Sequence, residues 1–303
     1  MADETGMRPP PLGKSHQAMS PASFSYTVVI CHGSYHVPEH FRPFLAALEV
    51  EGIEAICPQL PSSDLSKLNI GDVSKPDYDR EPPPGGYPQP VDDVKAVREV
   101  LNHLIVDSGK NVLLVGHSSG AFTATMAAAP KLQARARKEN GALGGIIGIF
   151  YECGFLIPVG ESVHSFFQPK DGSEPIVPPY CRFHKHGFNG LSSTNEGAKY
   201  FFNGVEESTA KRYEGLLTAS APLTTVLDND AYTALPLAYL VTEGDMALPS
   251  AYQESMVAMQ SQRPGVDLQL HRCPAGHSPH LAWVEGLVLL VQAFAGKVLD
   301  AQV

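Results

Sequence analysis

The chain is poor in positive charge and in long apolar stretches, and each shortage argues against a class of function. Its 303 residues carry 22 lysines and arginines against 32 aspartates and glutamates, a formal net charge of −10. An acidic chain without basic runs is a poor partner for nucleic acids and for anionic membrane surfaces, so we expect neither. No apolar run reaches the roughly 18 residues that a membrane-spanning helix needs.

The sequence also lacks paired cysteine motifs and the apolar core of a secretory signal. The cysteines are scattered, odd in number and without a CxxC motif: Cys31, Cys57, Cys153, Cys181 and Cys273. This distribution predicts free thiols in a reducing compartment. Residues 1–25 contain no apolar signal core, and their proline and serine content predicts a loose tail. We therefore expect a cytoplasmic protein.

From residue 26 onwards, short apolar runs alternate with amphipathic stretches. The predicted strands cover residues 26–31, 53–57, 112–115, 145–150, 237–241 and 266–270, and the predicted helices cover 38–50, 91–106, 122–129, 251–262 and 283–294. Strands that alternate with helices predict an α/β fold with a mostly parallel central sheet and helices on both faces. The core is predicted to combine residues 26–150 with residues 235–303.

Two segments interrupt this alternation. Residues 58–90 are rich in proline and glycine, and a loop of this length inside a compact domain is usually functional or disordered. Residues 151–234 are rich in aromatic side chains, among them Phe201 and Phe202. We predict that residues 151–234 form a lid inserted over the carboxyl edge of the sheet. The alternative is a helical insertion that packs elsewhere.

A possible nucleophile follows the strand predicted at residues 112–115. Residues 116–120 read GHSSG and fit the pattern G-x-S-x-G, directly after the apolar stretch NVLLV and before the small-residue stretch AFTATMAAA. A strand, a sharp turn and a helix in this order are the setting of a nucleophile elbow. This context predicts Ser118 as the nucleophile. It also predicts the backbone N–H of Ser119 as a donor to a developing oxyanion.

The other members of a catalytic set also follow predicted strands. His277 lies after the last strand, in the stretch CPAGHSP, and is the predicted base for Ser118. Asp245 follows the strand LAYLV and is the predicted orienting acid, with Glu243 and Glu152 as rivals. The stretch CHGSYH follows the first strand and predicts the N–H of Ser34 as the second oxyanion donor. The predicted substrate contacts are His32, Gly33, Tyr35, His117, Phe201 and Phe202.

Cofactor and metal signals are weak. No G-x-G-x-x-G follows a strand, so we expect no dinucleotide cofactor. The pair His184 and His186, and the series His32, His36 and His40, lack neighbouring carboxylate or thiolate ligands at a recognisable spacing. We therefore expect no metal ion.

The chain resembles the α/β-hydrolase superfamily, on the branch of plant methylesterases, hydroxynitrile lyases and related bacterial and fungal esterases. The similar stretches are CHGSYH, GHSSGA, YLVTEGD, AGHSPHL and YFFNGVEES. The resemblance implies the triad Ser118, Asp245 and His277. Hydroxynitrile lyases of this branch carry threonine and lysine where this chain has Gly33 and Ser278, so hydrolysis is favoured over the lyase reaction.

The resulting expectation is a serine hydrolase of a carboxylic ester, lactone or thioester of a moderately hydrophobic small molecule. One alternative keeps the site but uses it for cyclisation, acyl transfer or C–C bond cleavage. Another is a receptor whose pocket binds a ligand without reaction. A homodimer is compatible with the sequence.

Overall fold

The computed structural model describes residues 26–301, and the predicted tail at residues 1–25 lies outside that range. Six strands form one sheet in the order β2-β1-β3-β4-β7-β8, and all its neighbouring strands run parallel. A two-stranded antiparallel pair, β5 and β6, lies apart from it. The strands are β1 Tyr26–Cys31, β2 Glu54–Ile56, β3 Asn111–His117, β4 Gly145–Glu152, β5 Cys181–Phe183, β6 Ser192–Thr194, β7 Leu237–Thr242 and β8 Leu268–Cys273.

Helices cover both faces of the sheet, as predicted. They are α1 Arg42–Val50, α2 Pro90–Leu101, α3 Gly120–Ala127, α4 Ala134–Glu139, α5 Val163–Phe166, α6 Gly197–Tyr200, α7 Glu207–Glu214, α8 Ser250–Ser261, α9 Pro279–Ala282 and α10 Val284–Asp300. Helices α2, α3 and α8 bury their apolar residues against one face, and α1 and α10 against the other. No helix within residues 26–301 combines the length and the apolarity needed to cross a bilayer.

The predicted elements are present, with shifted ends. Strands β3 and β4 continue to His117 and Glu152, past the apolar residues that indicated them. The predicted strand at 266–270 lies instead at Leu268–Cys273, where the residues before Cys273 are half-buried or exposed and only Cys273 is buried. The reason is its position: β8 is the last strand of the sheet, so one side is open to solvent and apolarity no longer delimits it.

The two interrupting segments lie against each other. Residues 58–90 contain two short 3-10 turns, Pro61–Ser63 and Leu65–Lys67, and residues 151–234 contain α5, β5, β6, α6 and α7. The backbone N–H of Lys185 donates to Asp79, and its ammonium group pairs with Glu81 at 2.6 Å. The proline-rich loop is therefore held to the inserted segment by contacts between residues about a hundred positions apart.

All the cysteines are free, as predicted, and Cys31, Cys153 and Cys273 are buried. The more unusual feature of the interior is its histidines. Burial lowers the pKa of His32 and of His40 to about 4. His32 accepts a hydrogen bond from Leu60 N–H, and His40 Nδ1 accepts one from Val37 N–H, so each ring is needed in its neutral form.

These histidines predict a loss of stability in weak acid. The unfolded chain takes up their protons below about pH 6.5 while the folded chain resists, so the free energy of unfolding falls as pH drops from about 6.5 to about 5. Burial also lowers the pKa of His36 and His117 and adds to the effect. Asp93 opposes it, because burial raises its pKa to about 6 and the folded state binds that proton more tightly. Because four histidines lower the free energy of unfolding in weak acid and one carboxyl group raises it, the net effect is a loss of stability.

Urea unfolding measured at steps between pH 8 and pH 5 checks this expectation. His40→Asn should flatten the decline, whereas the same change at the exposed His103 should leave it unaltered. A stability that stays level or rises towards pH 5 would contradict it.

Candidate active site

The turn between β3 and α3 has the geometry of a nucleophile elbow. Ser118 adopts a left-handed backbone conformation with φ of +51°, which a non-glycine residue rarely does. Its neighbours have no room for a side chain: a Cβ on Gly116 would lie 2.6 Å from Ala121 Cα, and one on Gly120 would lie 2.0 Å from the carbonyl oxygen of Cys31. The two glycines therefore allow a turn that lifts Ser118 out of the strand.

Asp245 and His277 meet behind this turn. His277 Nδ1 donates a hydrogen bond to Asp245 Oδ2 at 2.8 Å, and the two residues are 1% and 7% exposed. The other carboxylate oxygen of Asp245 accepts the backbone N–H groups of Ala247 and Leu248 at 2.8 and 2.7 Å. Because backbone donors favour the charged carboxylate, Asp245 is suited to orient His277 and to stabilise its protonated form.

Two further side chains donate hydrogen bonds to Asp245 and were not predicted from the sequence. Thr242 Oγ1 donates to Asp245 Oδ2 at 2.9 Å, and Gln253 Nε2 donates to the same oxygen at 3.0 Å. Gln253 lies fully buried on α8 and also binds the Thr242 hydroxyl and the carbonyl oxygen of Leu248. A polar residue eight positions after the acid is ordinary on an amphipathic helix, so nothing in the sequence distinguished it.

The rival acids lie elsewhere. Glu243 is exposed, on the solvent side of the loop that follows β7. Glu152 is buried and accepts a hydrogen bond from His280 Nδ1 at 3.1 Å. Only Asp245, of the three predicted candidates, contacts the His277 ring.

His277 is also fixed through its backbone. Its carbonyl oxygen accepts from His117 Nε2 at 2.9 Å and from the Cys153 thiol at 3.3 Å. Burial raises the pKa of Cys153, which keeps the thiol protonated and able to donate. Within residues 26–301, the Ser118 hydroxyl makes no hydrogen bond to His277. The ring of the adjacent His117 lies 4.9 Å from the His277 ring. Catalytic hydrogen bonds often form only when substrate binds.

The two predicted oxyanion donors lie side by side, but one is already engaged. Ser34 N–H donates to Ser119 Oγ at 2.7 Å, and the two hydroxyl oxygens are 2.8 Å apart. Gly33 brings the loop after β1 against the turn, since a Cβ there would lie 2.8 Å from Ser118 Cβ. The side chain of Ser119 thus takes the hydrogen bond that a substrate oxygen would need from Ser34.

The predicted substrate contacts fall into two groups. The Phe201 ring lies 5.5 Å from the His277 ring and 6.0 Å from the Tyr35 ring, so it faces His277. Phe202 instead stacks on His40 at 5.6 Å and is completely buried. His32 binds Leu60 N–H and supports the neighbouring loop. These positions favour Phe201 as a substrate contact and indicate structural roles for Phe202 and His32.

Tyr35 connects the loop after β1 to the inserted segment. Its hydroxyl group lies 2.8 Å from Ser192 Oγ, and its carbonyl oxygen accepts the backbone N–H of Thr218 at 2.8 Å. The predicted contact with substrate is therefore limited to the face of its ring, because the polar ends of the residue are occupied.

Comparison with known proteins agrees with this architecture. A curated relative, the alpha/beta hydrolase nvfD of Aspergillus novofumigatus, is 26% identical over 276 residues, which cover 90% of this chain and 98% of that protein. A pyrethroid hydrolase structure from Sphingobium faniae superposes with a TM-score of 0.64 at 18% identity, covering 89% of this chain and 97% of that one. A methylesterase structure from Arabidopsis gives 0.57 at 18% identity, covering 88% and 98%.

These structures share the fold, and they include a plant methylesterase, in agreement with the resemblance seen in the sequence. The model of the Alpha/beta hydrolase family matches residues 28–288. This span contains the parallel sheet apart from the first two residues of β1, the turn at Ser118 and both partners of the buried Asp245–His277 pair. The protein therefore belongs to the Alpha/beta hydrolase family and is a hydrolase.

Proposed function

We propose that the protein hydrolyses a carboxylic ester, lactone or thioester through an acyl-enzyme formed on Ser118. The observation that carries the proposal is the buried 2.8 Å contact between His277 and Asp245 beside the left-handed turn at Ser118. Each residue follows a different strand of the parallel sheet, and ligands of such sheets bind at the carboxyl ends of the strands. The methylesterase that shares the fold makes an ester the first substrate to test.

In this mechanism, Ser118 Oγ attacks the carbonyl carbon while His277 Nε2 takes its proton. Asp245 stabilises the imidazolium ion through Nδ1–H. His277 then donates the proton to the leaving alcohol or thiol as its bond to the carbonyl carbon breaks. Water, deprotonated by His277, attacks the acyl-enzyme in the same way and returns Ser118 to its free form.

The oxyanion that forms in each step is bound by the N–H groups of Ser119 and Ser34. The hydrogen bond from Ser34 N–H to Ser119 Oγ means that the Ser119 side chain must first rotate away. Binding of the substrate carbonyl therefore displaces one hydrogen bond within the protein. The loss of that hydrogen bond reduces the net stabilisation that Ser34 N–H gives to the oxyanion.

We propose that residues 151–234 form a lid and supply an aromatic wall of the substrate pocket. Phe201 faces His277, and Tyr180 lies edge-on to Phe201 at 4.9 Å. Ser118 is only 8% exposed, so access requires the lid or the proline-rich loop to move. An aromatic wall with few polar groups favours a moderately hydrophobic acyl or alcohol group.

A fluorophosphonate probe tests the nucleophile. The wild-type protein should be labelled at Ser118, and Ser118→Ala should abolish labelling and lower kcat by on the order of 10³-fold or more. Asp245→Asn should also lower kcat greatly because His277 loses its charged partner, while Glu243→Gln, on the exposed side of the same loop, is the matched control. Labelling that persists in Ser118→Ala would disprove the assignment.

Ser119→Ala tests the occupied oxyanion donor. Removing the hydroxyl frees Ser34 N–H, and a hydrogen bond of about 0.5–1.5 kcal/mol corresponds to a rise of about 2- to 10-fold in kcat/KM. Ser34→Ala keeps the backbone donor bound to Ser119 Oγ and should change kcat/KM less. An unchanged or lower kcat/KM in a folded Ser119→Ala protein would argue against this role of Ser34 N–H.

Phe201 and Phe202 form a matched pair for the lid. Phe201→Ala should lower kcat/KM for a bulky aromatic ester, with a loss of about 1–3 kcal/mol in transition-state stabilisation. The value of kcat/KM for a small acetate ester should stay nearly the same. Phe202→Ala should instead cost about 3–5 kcal/mol of stability, because the ring is fully buried, and should not change the ratio between the two substrates. The ratio is measured well below the unfolding temperature of each variant. If the ratio of kcat/KM for the bulky ester to that for the acetate ester were the same in wild type and Phe201→Ala, Phe201 would not line the pocket.

A further inference from the structure

Asn203, in the inserted segment, lies between the two loops that carry Asp245 and His277. Its Nδ2 group donates a hydrogen bond to the carbonyl oxygen of Gly244 at 2.7 Å. On the other loop, a Cβ on Gly276 would collide with Asn203 Oδ1 and would lie 2.5 Å from the Asn203 carbonyl oxygen. Gly244 directly precedes Asp245 in the chain, and Gly276 directly precedes His277. One residue of the inserted segment therefore contacts the position before each member of the buried pair.

The two loops also contact each other at this point. Gly244 N–H donates to the carbonyl oxygen of Ala275 at 3.0 Å. A Cβ on Gly244 would lie 3.0 Å from the carbonyl oxygen of Pro274 and 3.1 Å from that of Ala275, so the close approach requires a glycine. The backbone just before Asp245 is thus fixed on both sides. Its N–H is bound to the loop after β8, and its carbonyl oxygen is bound to the inserted segment.

The orientation of the Asn203 amide is set by its surroundings. Its Oδ1 is buried against Gly276 and has no hydrogen-bond partner within residues 26–301. Turning the amide over would place Oδ1 against the Gly244 carbonyl oxygen, where two acceptors would face each other. The unpartnered oxygen costs free energy, and a small apolar side chain would avoid that cost. What asparagine supplies here is therefore the hydrogen bond from Nδ2 to the Gly244 carbonyl oxygen.

Asn203 is held in place by the residue before it. Phe202 is completely buried and stacks on His40. Its carbonyl oxygen accepts Val205 N–H at 3.1 Å, which closes a turn around Asn203. Because this turn is anchored in the interior through Phe202, its position does not depend on the two loops that Asn203 contacts. The Asn203 amide can therefore act as a fixed point for both loops.

We propose that Asn203 is a positioning residue that aligns the loops of Asp245 and His277 with the inserted segment. The proposal rests on the hydrolytic mechanism proposed above. Ser118 is only 8% exposed, and a movement of the inserted segment that admits substrate would break the hydrogen bond to Gly244. The acid–base pair is then fully aligned only when the segment has closed over the substrate. A misplacement of about 1 Å in a catalytic group can slow a reaction about 100-fold.

Asn203→Ala tests the proposal against a matched control in the same segment. Asn229 is likewise half-buried, and its Nδ2 donates to the carbonyl oxygens of Thr125 and Ala128 at 2.7 and 3.1 Å, at the end of α3 remote from Ser118. Asn203→Ala should lower kcat for a small acetate ester about 10- to 100-fold with little change in KM, because misalignment slows the chemical step without removing a substrate contact. Asn229→Ala should leave kcat nearly unchanged, although it removes two hydrogen bonds.

Proton NMR without substrate separates this proposal from the ester-hydrolase assignment. The N–H proton between His277 and Asp245 should resonate far downfield, and its loss in Asp245→Asn identifies it. Asn203→Ala should shift or broaden this signal, whereas Asn229→Ala should not. A changed signal in a protein that turns over no ester would uphold the positioning role and refute the ester-hydrolase assignment.

Two outcomes would overturn the positioning role. One is an unchanged signal with unchanged kcat in folded Asn203→Ala, and the other is an equal loss of kcat in Asn229→Ala. If Asn203→Ala does not fold, Asn203→Asp keeps the size of the side chain and turns an acceptor towards the Gly244 carbonyl oxygen. This variant should lower kcat at least as much, and a wild-type kcat in it would equally refute the proposal.

Discussion

The left-handed turn at Ser118 is the constraint on which the rest of the site depends. It is tolerated because Gly116 and Gly120 leave room for backbone contact, and Gly120 in particular packs directly on the end of β1. That contact brings the loop after β1, with Gly33 and Ser34, over the start of α3. A side chain at Gly120 would separate Ser118 from Ser34, so the turn and the neighbouring loop form one unit.

The charge of the proposed catalytic acid is balanced entirely inside the protein. Asp245 receives two backbone donors, the Thr242 hydroxyl, the Gln253 amide and the His277 ring, although the residue is nearly inaccessible to water. A buried carboxylate without such partners would be unfavourable. The hydrogen bonds from α8 and from the loop after β7 thus satisfy both oxygens of Asp245 and hold His277 in one orientation.

The inserted segment and the loop after β1 are linked by direct contacts. Tyr35 binds Thr218 through its carbonyl group and Ser192 through its hydroxyl group, while Phe201 lies between the Tyr35 and His277 rings. A movement of residues 151–234 that opens the site would therefore also disturb the loop that carries Ser34. In the proposed mechanism, access to Ser118 and binding of the oxyanion therefore depend on the same side chains.

The sequence alone determined the α/β fold, because buried parallel strands are apolar on both faces and stand out from their surroundings. It also indicated Ser118, Asp245 and His277, because the carboxyl ends of parallel strands meet at one edge. Tertiary structure decided the rest. The Ser34–Ser119 hydrogen bond, the different positions of Phe201 and Phe202, and the buried Glu152–His280 pair all join segments that lie apart in the chain, and Gln253 reaches Asp245 from the next helix. Such contacts depend on packing distances of a few ångströms, which neither periodicity nor motif spacing contains.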